Sequence, residues 1–241
     1  MGRRRRTWRS GVALVGVSLS WACADPAVPD PAGAVLDGAQ RALGVPRDGR
    51  PFQVSADAVV EGPGGRFRTS IRSASDGRVR MEQSPSGFLA GVGQDGGWRR
   101  TEAGVEALGE GLAFVRGHEL HMLALAPRTR LERPRNVIRA ATGDRSVIGV
   151  TLSLPSGDSL VAWFDAVDTL PVGARVLWTD PPVEVEWSDW SSRGAFRVFE
   201  RATFRQGTEA FHYAFDSIRV GEIEDAVFEP PASAPGPDAG G

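Results

Sequence analysis

The chain has 241 residues, of which 41% are hydrophobic and 24% charged, with a formal charge of −2 and a single cysteine, Cys23. One cysteine excludes an intramolecular disulfide, so the fold must be held by its core, and the length suffices for one domain. All 28 basic residues are arginine; without the five near the amino terminus, 23 face 30 acids, a formal charge near −7 that makes the domain a poor general nucleic-acid binder.

Residues 1–22 read as an export signal. Arg3, Arg4, Arg5, Arg6 and Arg9 form a basic n-region and residues 11–19 an apolar stretch, shorter than the roughly 20 residues a spanning helix requires. Leu19-Ser20-Trp21-Ala22-Cys23 resembles a bacterial lipoprotein box. The resemblance implies cleavage before Cys23, lipidation of its thiol and attachment to a membrane; ordinary cleavage nearby, with Cys23 incidental, is the alternative. Residues 23–33 are rich in proline and small side chains and fit a tether. Val35, Leu36, Ala39, Ala42 and Leu43 then recur at helical spacing, and Gly44 is a natural stop.

From Phe52 the apolar period changes to two. Phe52, Val54, Ala56 and Ala58 share one side of a strand, Phe67, Thr69 and Ile71 follow the turn at residues 62–65, and Val79 and Met81 face inward with Arg78 and Arg80 outward. Asp76-Gly77 and Asp95-Gly96 supply hairpin turns, so the first half reads as an antiparallel meander.

The alternation breaks between residues 102 and 139, where Leu112, Phe114, Val115, Leu120, Met122, Leu123 and Leu125 suggest one or two helices. Such a helical insertion is either a core element or a movable cover. Within it, His118-Glu119-Leu120-His121 misses the four-residue histidine spacing of a zinc peptidase, and the remaining histidine, His212, is remote in sequence. A solvated or packed pair is the expectation, and no metal site is assigned. Arg128, Arg130, Arg133, Arg135 and Arg139 form a basic cluster interrupted by Pro127 and Pro134. A solvated connecting loop accounts for it; contact with anionic lipid headgroups or a partner is the functional alternative.

Strands resume at residues 146–154 with Ile148, Val150, Leu152 and Leu154 on one face, and residues 159–231 continue as strands in series. In this last stretch Trp163-Phe164-Asp165, then Thr169-Leu170-Pro171 opening a strand, Trp187-Ser188-Asp189-Trp190, and the closing run Ala226-Val227-Phe228-Glu229-Pro230-Pro231 resemble the second half of the LolA/LolB-like lipoprotein carriers of the bacterial envelope. The resemblance covers most of residues 34–231. It implies a mainly β domain with accessory helices: a curved antiparallel sheet forming an incomplete β-barrel covered by helices, holding acyl chains in its hollow. Unlike the soluble carrier of that family, this chain keeps a cysteine positioned for lipid, which brings it closer to the membrane-anchored acceptor. Asp25, one place beyond the position linked to inner-membrane retention, favours the outer membrane and the periplasmic side.

Periodicity nominates the lining of such a hollow: Phe67, Ile71, Met81, Val176, Trp178, Val185, Trp187, Phe211, Tyr213 and Phe215 from strands, with Leu112, Phe114, Leu120 and Met122 from the insertion. Each is equally readable as ordinary core. Residues 232–241 read as a disordered tail. No nucleophile elbow, phosphate loop or metal spacing is present in the sequence. The expectation is therefore a monomeric, non-catalytic envelope protein, without cofactor, that binds lipid or lipoprotein acyl chains. A docking or sensor module on the same fold is the alternative.

Overall fold

A computed structural model describes residues 30–45, 50–93, 96–108, 124–125, 132–142, 145–153, 159–177 and 179–231. The signal, Cys23, Leu112, Phe114, His118, Leu120, His121, Met122, Trp178 and the carboxy-terminal tail lie outside the described residues.

Helix α1 (Pro31–Leu43) begins three residues before the expected start, because Asp30 accepts a hydrogen bond from the Gly33 amide at 2.9 Å and Pro31 supplies a preset φ for the first turn. It ends at Gly44 in the left-handed region, φ 72°, with the Gly44 amide bonded to the Arg41 carbonyl. A Cβ on Gly44 would stand 1.9 Å from the Ala195 carbonyl oxygen, so only glycine lets the helix end sit against that turn.

The strands are β1 (Gln53–Gly62), β2 (Gly65–Ala74), β3 (Val79–Ser84), β4 (Leu89–Gly93), β5 (Gly96–Thr101), β6 (Gly104–Ala107), β7 (Glu132–Thr142), β8 (Arg145–Ser153), β9 (Ser159–Asp165), β10 (Pro171–Val176), β11 (Val183–Arg193), β12 (Phe196–Gln206) and β13 (Glu209–Gly221). They form one sheet in the order β6-β5-β4-β3-β2-β1-β13-β12-β11-β10-β9-β8-β7. Two meanders are thus joined at a seam where β1 pairs antiparallel with β13, and the outer strands β6 and β7 leave the sheet unclosed. Register shifts at Asp57/Ala58, Pro171/Gly173 and twice along β7 bend the ladder. The bent sheet encloses one contiguous apolar cluster reaching from Ala90 on β4 to Leu152 on β8, with Leu36, Ala39 and Leu43 of α1 buried in it. The expected mainly β fold with a helix ahead of the meander is what the chain adopts.

Two expectations need correction. Residues 102–139 are not helical throughout, since β6 and β7 occupy both flanks. Arg133, Arg135 and Arg139 consequently belong to a strand rather than a connecting loop, and Pro134 is tolerated because β7 is an edge strand among the described residues.

The chain closes with a short turn of helix, α2 (Asp225–Phe228), on the outer face of β3 to β5. Phe228 is fully buried there, with the Arg78 guanidinium 5.0 Å from its ring centre. Arg78 does face outward as its strand position requires, yet it is only 7% exposed, held between Asp76 and Asp225 at 2.7 and 2.8 Å. Those two carboxylates raise its already high pKa, so it stays charged beneath the turn.

Candidate functional site

Directly paired residues point to the same side of a sheet, so the inner face can be traced across the ladder. Ile71 lies opposite both Ala56 and Met81, and Ala56 opposite Ile218. Farther round, Val150, Ala162, Ala174 and Val185 continue the row. On this face Ile71, Met81, Val176, Val185, Trp187 and Tyr213 are buried, while Phe67, Phe211 and Phe215 are partly buried against the same cluster. The expected strand positions that can be seen therefore come together on one concave surface.

Its centre is aromatic. Phe199 packs with Trp187, Trp190 and Phe215 at ring-centre distances of 6.2, 5.6 and 5.3 Å, and Tyr213 bridges Phe215 at 6.1 Å and Phe204 at 5.2 Å. Burial pushes the Tyr213 phenol well above its ordinary pKa, so it stays neutral across physiological pH. Trp190 belongs to the tryptophan-rich run already singled out in the sequence, whereas Phe199 and Ile218 were not among the sequence candidates. Alternation fails beside Phe199 at Asp189, whose φ of 56° shifts the phase between Trp187 and Trp190. A Trp-x-x-Trp spacing inside an otherwise alternating strand was the available signal.

Beside this cluster Val54, Ala56, Ile71, Ser73, Leu125, Phe199, Phe215 and Ile218 surround a small void. Leu125 and Ala124, which lie between β6 and β7 in the chain, are both buried in the common core. The remaining space is about 10 Å³, roughly the room of one water molecule.

The inner surface is not wholly apolar. Among the described residues, the indole nitrogens of Trp187 and Trp190 and the hydroxyls of Thr69, Ser73 and Ser191 are buried without a hydrogen-bond partner. Leaving a buried donor unpaired costs about 1–3 kcal/mol each, so these groups favour an acceptor brought in by a ligand. No group of three or more histidine, cysteine or acidic side chains able to hold a metal occurs among the described residues. His212 bonds through its ring to Thr203 at 3.2 Å on an exposed part of the sheet.

The motif residues of the sequence have local roles. Asp165 accepts amide hydrogen bonds from Val167 and Asp168, and the Asp168 carboxylate accepts one from Leu170, folding the loop that opens β10 at Pro171. The Thr169 side chain at its tip lies against Gly38 of α1, where a Cβ would meet it at 3.1 Å. The Asp165-to-Leu170-Pro171 run thereby seats the helix on the sheet.

The described geometry, an unclosed antiparallel sheet wrapped round an aromatic interior with a helix at one end, is that of the LolA fold. The chain is similar to a LolA superfamily protein from Nitrosomonas europaea, with 11% identity, a TM-score of 0.57, and coverage of 82% of this chain and 97% of that one. It is also similar to a protein from Vibrio parahaemolyticus described as an outer membrane lipoprotein-sorting domain, at 11% identity, a TM-score of 0.51 and the same coverage. Neither a scan against family models nor a sequence comparison with curated proteins finds a match.

Proposed function

We propose that this protein is an exported envelope component, anchored through Cys23, that binds acyl chains of a lipid or lipoprotein against its concave aromatic face. The observation that carries this reading is the position of Leu125. It comes from the stretch that must pass from one open edge of the sheet to the other, and it sits where a ligand would contact Ile71, Phe199 and Phe215. The arrangement resembles a plugged site. Burying one leucine is worth about 2 kcal/mol, and an acyl chain gains about 0.8 kcal/mol for each buried CH2 before ordering costs, so the exchange favours the ligand only as far as the interior opens to enclose several methylenes. The unpaired indole and hydroxyl donors suit the ester or amide oxygens at the head of such a chain.

The narrowness of the void favours a second reading, a filled core whose fold serves as a docking module. Native mass spectrometry of the gently purified protein, followed by organic extraction, separates the two. Released acyl chains support the carrier; a protein that emerges empty and also fails to bind a fluorescent fatty acid leaves only the docking module.

A further inference from the structure

Thr69 and Ser73, 3% and 2% exposed, flank Ile71 on β2 and share its inner face. Trp187, 2% exposed, and the half-buried Trp190 belong to β11. The two hydroxyls and both indole N–H groups are buried without a hydrogen-bond partner. These donors on two distant strands meet at one pair of phenylalanines. Thr69 stands opposite Ala58 and Ala58 opposite Phe215, Ser73 lines the void with Phe199 and Phe215, and Phe199 packs against both indoles. A trapped water does not answer Ser73, because the void of about 10 Å³ has no second polar side chain on its wall and a buried water takes about two to four partners.

The same region lacks charge. The other buried polar or charged side chains among the described residues are Gln53, bonded to Ser55 and the Glu224 amide, and Arg78, held under α2 between Asp76 and Asp225. Tyr213 keeps its proton. Arg139 shares the inner row by register, opposite Ile148, but on the edge strand β7, four strands from β11 in the ladder. A carboxylate beside Phe199 would therefore be a buried, unpaired charge. An ester or amide carbonyl brings lone pairs for the donors and no charge.

We propose that the donors of β2 and β11 select acyl chains that carry an uncharged carbonyl, an ester or an amide, over the free fatty-acid anion. Thr69, Ser73, Trp187 and Trp190 are then the residues that determine specificity. This rests on the acyl-binding reading and adds to it the chemistry of the ligand's polar end.

The test uses the full chain with Cys23→Ser and probes built on one pyrene-labelled dodecyl chain: the acid, its methyl ester, its N-methyl amide and the hydrocarbon. Binding is read by energy transfer from tryptophan. Affinity for the ester and amide is expected to be flat between about pH 6 and 8, while that for the acid falls about tenfold per pH unit, because only its protonated form enters. Thr69→Val combined with Ser73→Ala, and separately Trp187→Phe, should each lower the ester-to-hydrocarbon affinity ratio about tenfold. Without ligand the hydroxyl double variant should melt no lower than the parent, since it removes buried donors that have no partner, whereas hydroxyls serving the fold would be missed. A preference for the ester or for the amide, either of which supports the proposal, tells a glycerolipid from an N-acylated source. An acid that binds as tightly as the ester at about pH 8 overturns it, and loss of that binding in Arg139→Gln would place an anionic head at the β7 edge instead. An unchanged ratio in both variants, or a lower melt of the hydroxyl variant, overturns it as well. Hydrocarbon bound as tightly as ester defeats this proposal alone; no probe bound at any pH defeats the acyl-binding reading and this proposal with it.

Discussion

The indole N–H of Trp98 donates a hydrogen bond to the carbonyl oxygen of Phe228 at 3.2 Å, joining residues 130 positions apart. Arg80 donates to the neighbouring Val227 carbonyl at 3.1 Å and lies 5.9 Å from the Trp98 ring centre. Together with Arg78 under Phe228, these contacts latch the end of the chain onto β3 to β5. Phe228→Ala should cost about 3–5 kcal/mol, as for other fully buried phenylalanines, and Trp98→Phe about 1–2 kcal/mol from the lost bond and the orphaned carbonyl. Denaturant unfolding followed by circular dichroism measures both. Equal, small losses would mean that the latch adds nothing to the sheet.

Gly44→Ala should destabilise by about 2 kcal/mol or more, since the left-handed φ and the Ala195 carbonyl both exclude a methyl group. Gly64→Ala, at a position where a Cβ meets nothing within 4 Å, is the matched control and should stay within about 0.5 kcal/mol.

Tyr213 is the only tyrosine in the sequence, so its ionisation can be followed by ultraviolet absorbance without ambiguity. Its phenol is raised by burial, which means the folded state keeps a proton that the unfolded chain releases near pH 10. The associated stability is complete below that pH and is lost as pH rises toward the folded-state value. The phenolate signal should therefore appear together with unfolding at alkaline pH, not before it. Titration of Tyr213 in a chain that keeps its native circular dichroism would contradict its burial.

Asp57 behaves in the opposite sense. Burial works against its ionisation, but hydrogen bonds from Ser70 and Ser217, with Arg72 and Arg219 nearby, outweigh it and hold the carboxyl below its ordinary value. Its contribution is present above about pH 4 and disappears as pH falls through the folded-state value. Asp57→Asn should flatten the acid side of the stability profile while leaving the alkaline side unchanged. An acid limb of the same slope in the variant would remove Asp57 from the account.

Leu125→Ala should lower stability by about 2–4 kcal/mol and widen the void beside Ile71 and Phe199. If the leucine occupies a ligand's place, the variant binds a fluorescent fatty acid more tightly than the parent. Unchanged or weaker binding would identify Leu125 as ordinary core.

Regular alternation made much of this fold legible. Val54 and Ala56, Ile71, Met81 and Tyr213 were placed on the inner face by period two alone, and the helix by its stop at Gly44. Legibility ended where backbone geometry departs from the period. Phe199 follows another buried residue, Val198, in a strand facing the irregular Asp189. Strand β7 hid behind arginines and Pro134, whose meaning depends on an open edge that no local pattern encodes. Arg78 looked like a solvent-facing partner to Arg80 until residues 225–228 covered it. Long-range covers of this kind leave no periodic trace.

The seam between β1 and β13 also sets the order in which the protein can assemble. Gln53 pairs with Gly221, so the first strand meets its partner only after nearly the whole chain is available. Neighbouring hairpins close quickly because their loops are short, whereas joining the two meanders requires a closure over more than 150 residues. A chain delivered amino end first would hold its first six strands as a sheet with an unpaired β1 edge, and pulse-labelling hydrogen exchange should find the amides of β1 and β13 protected last and together.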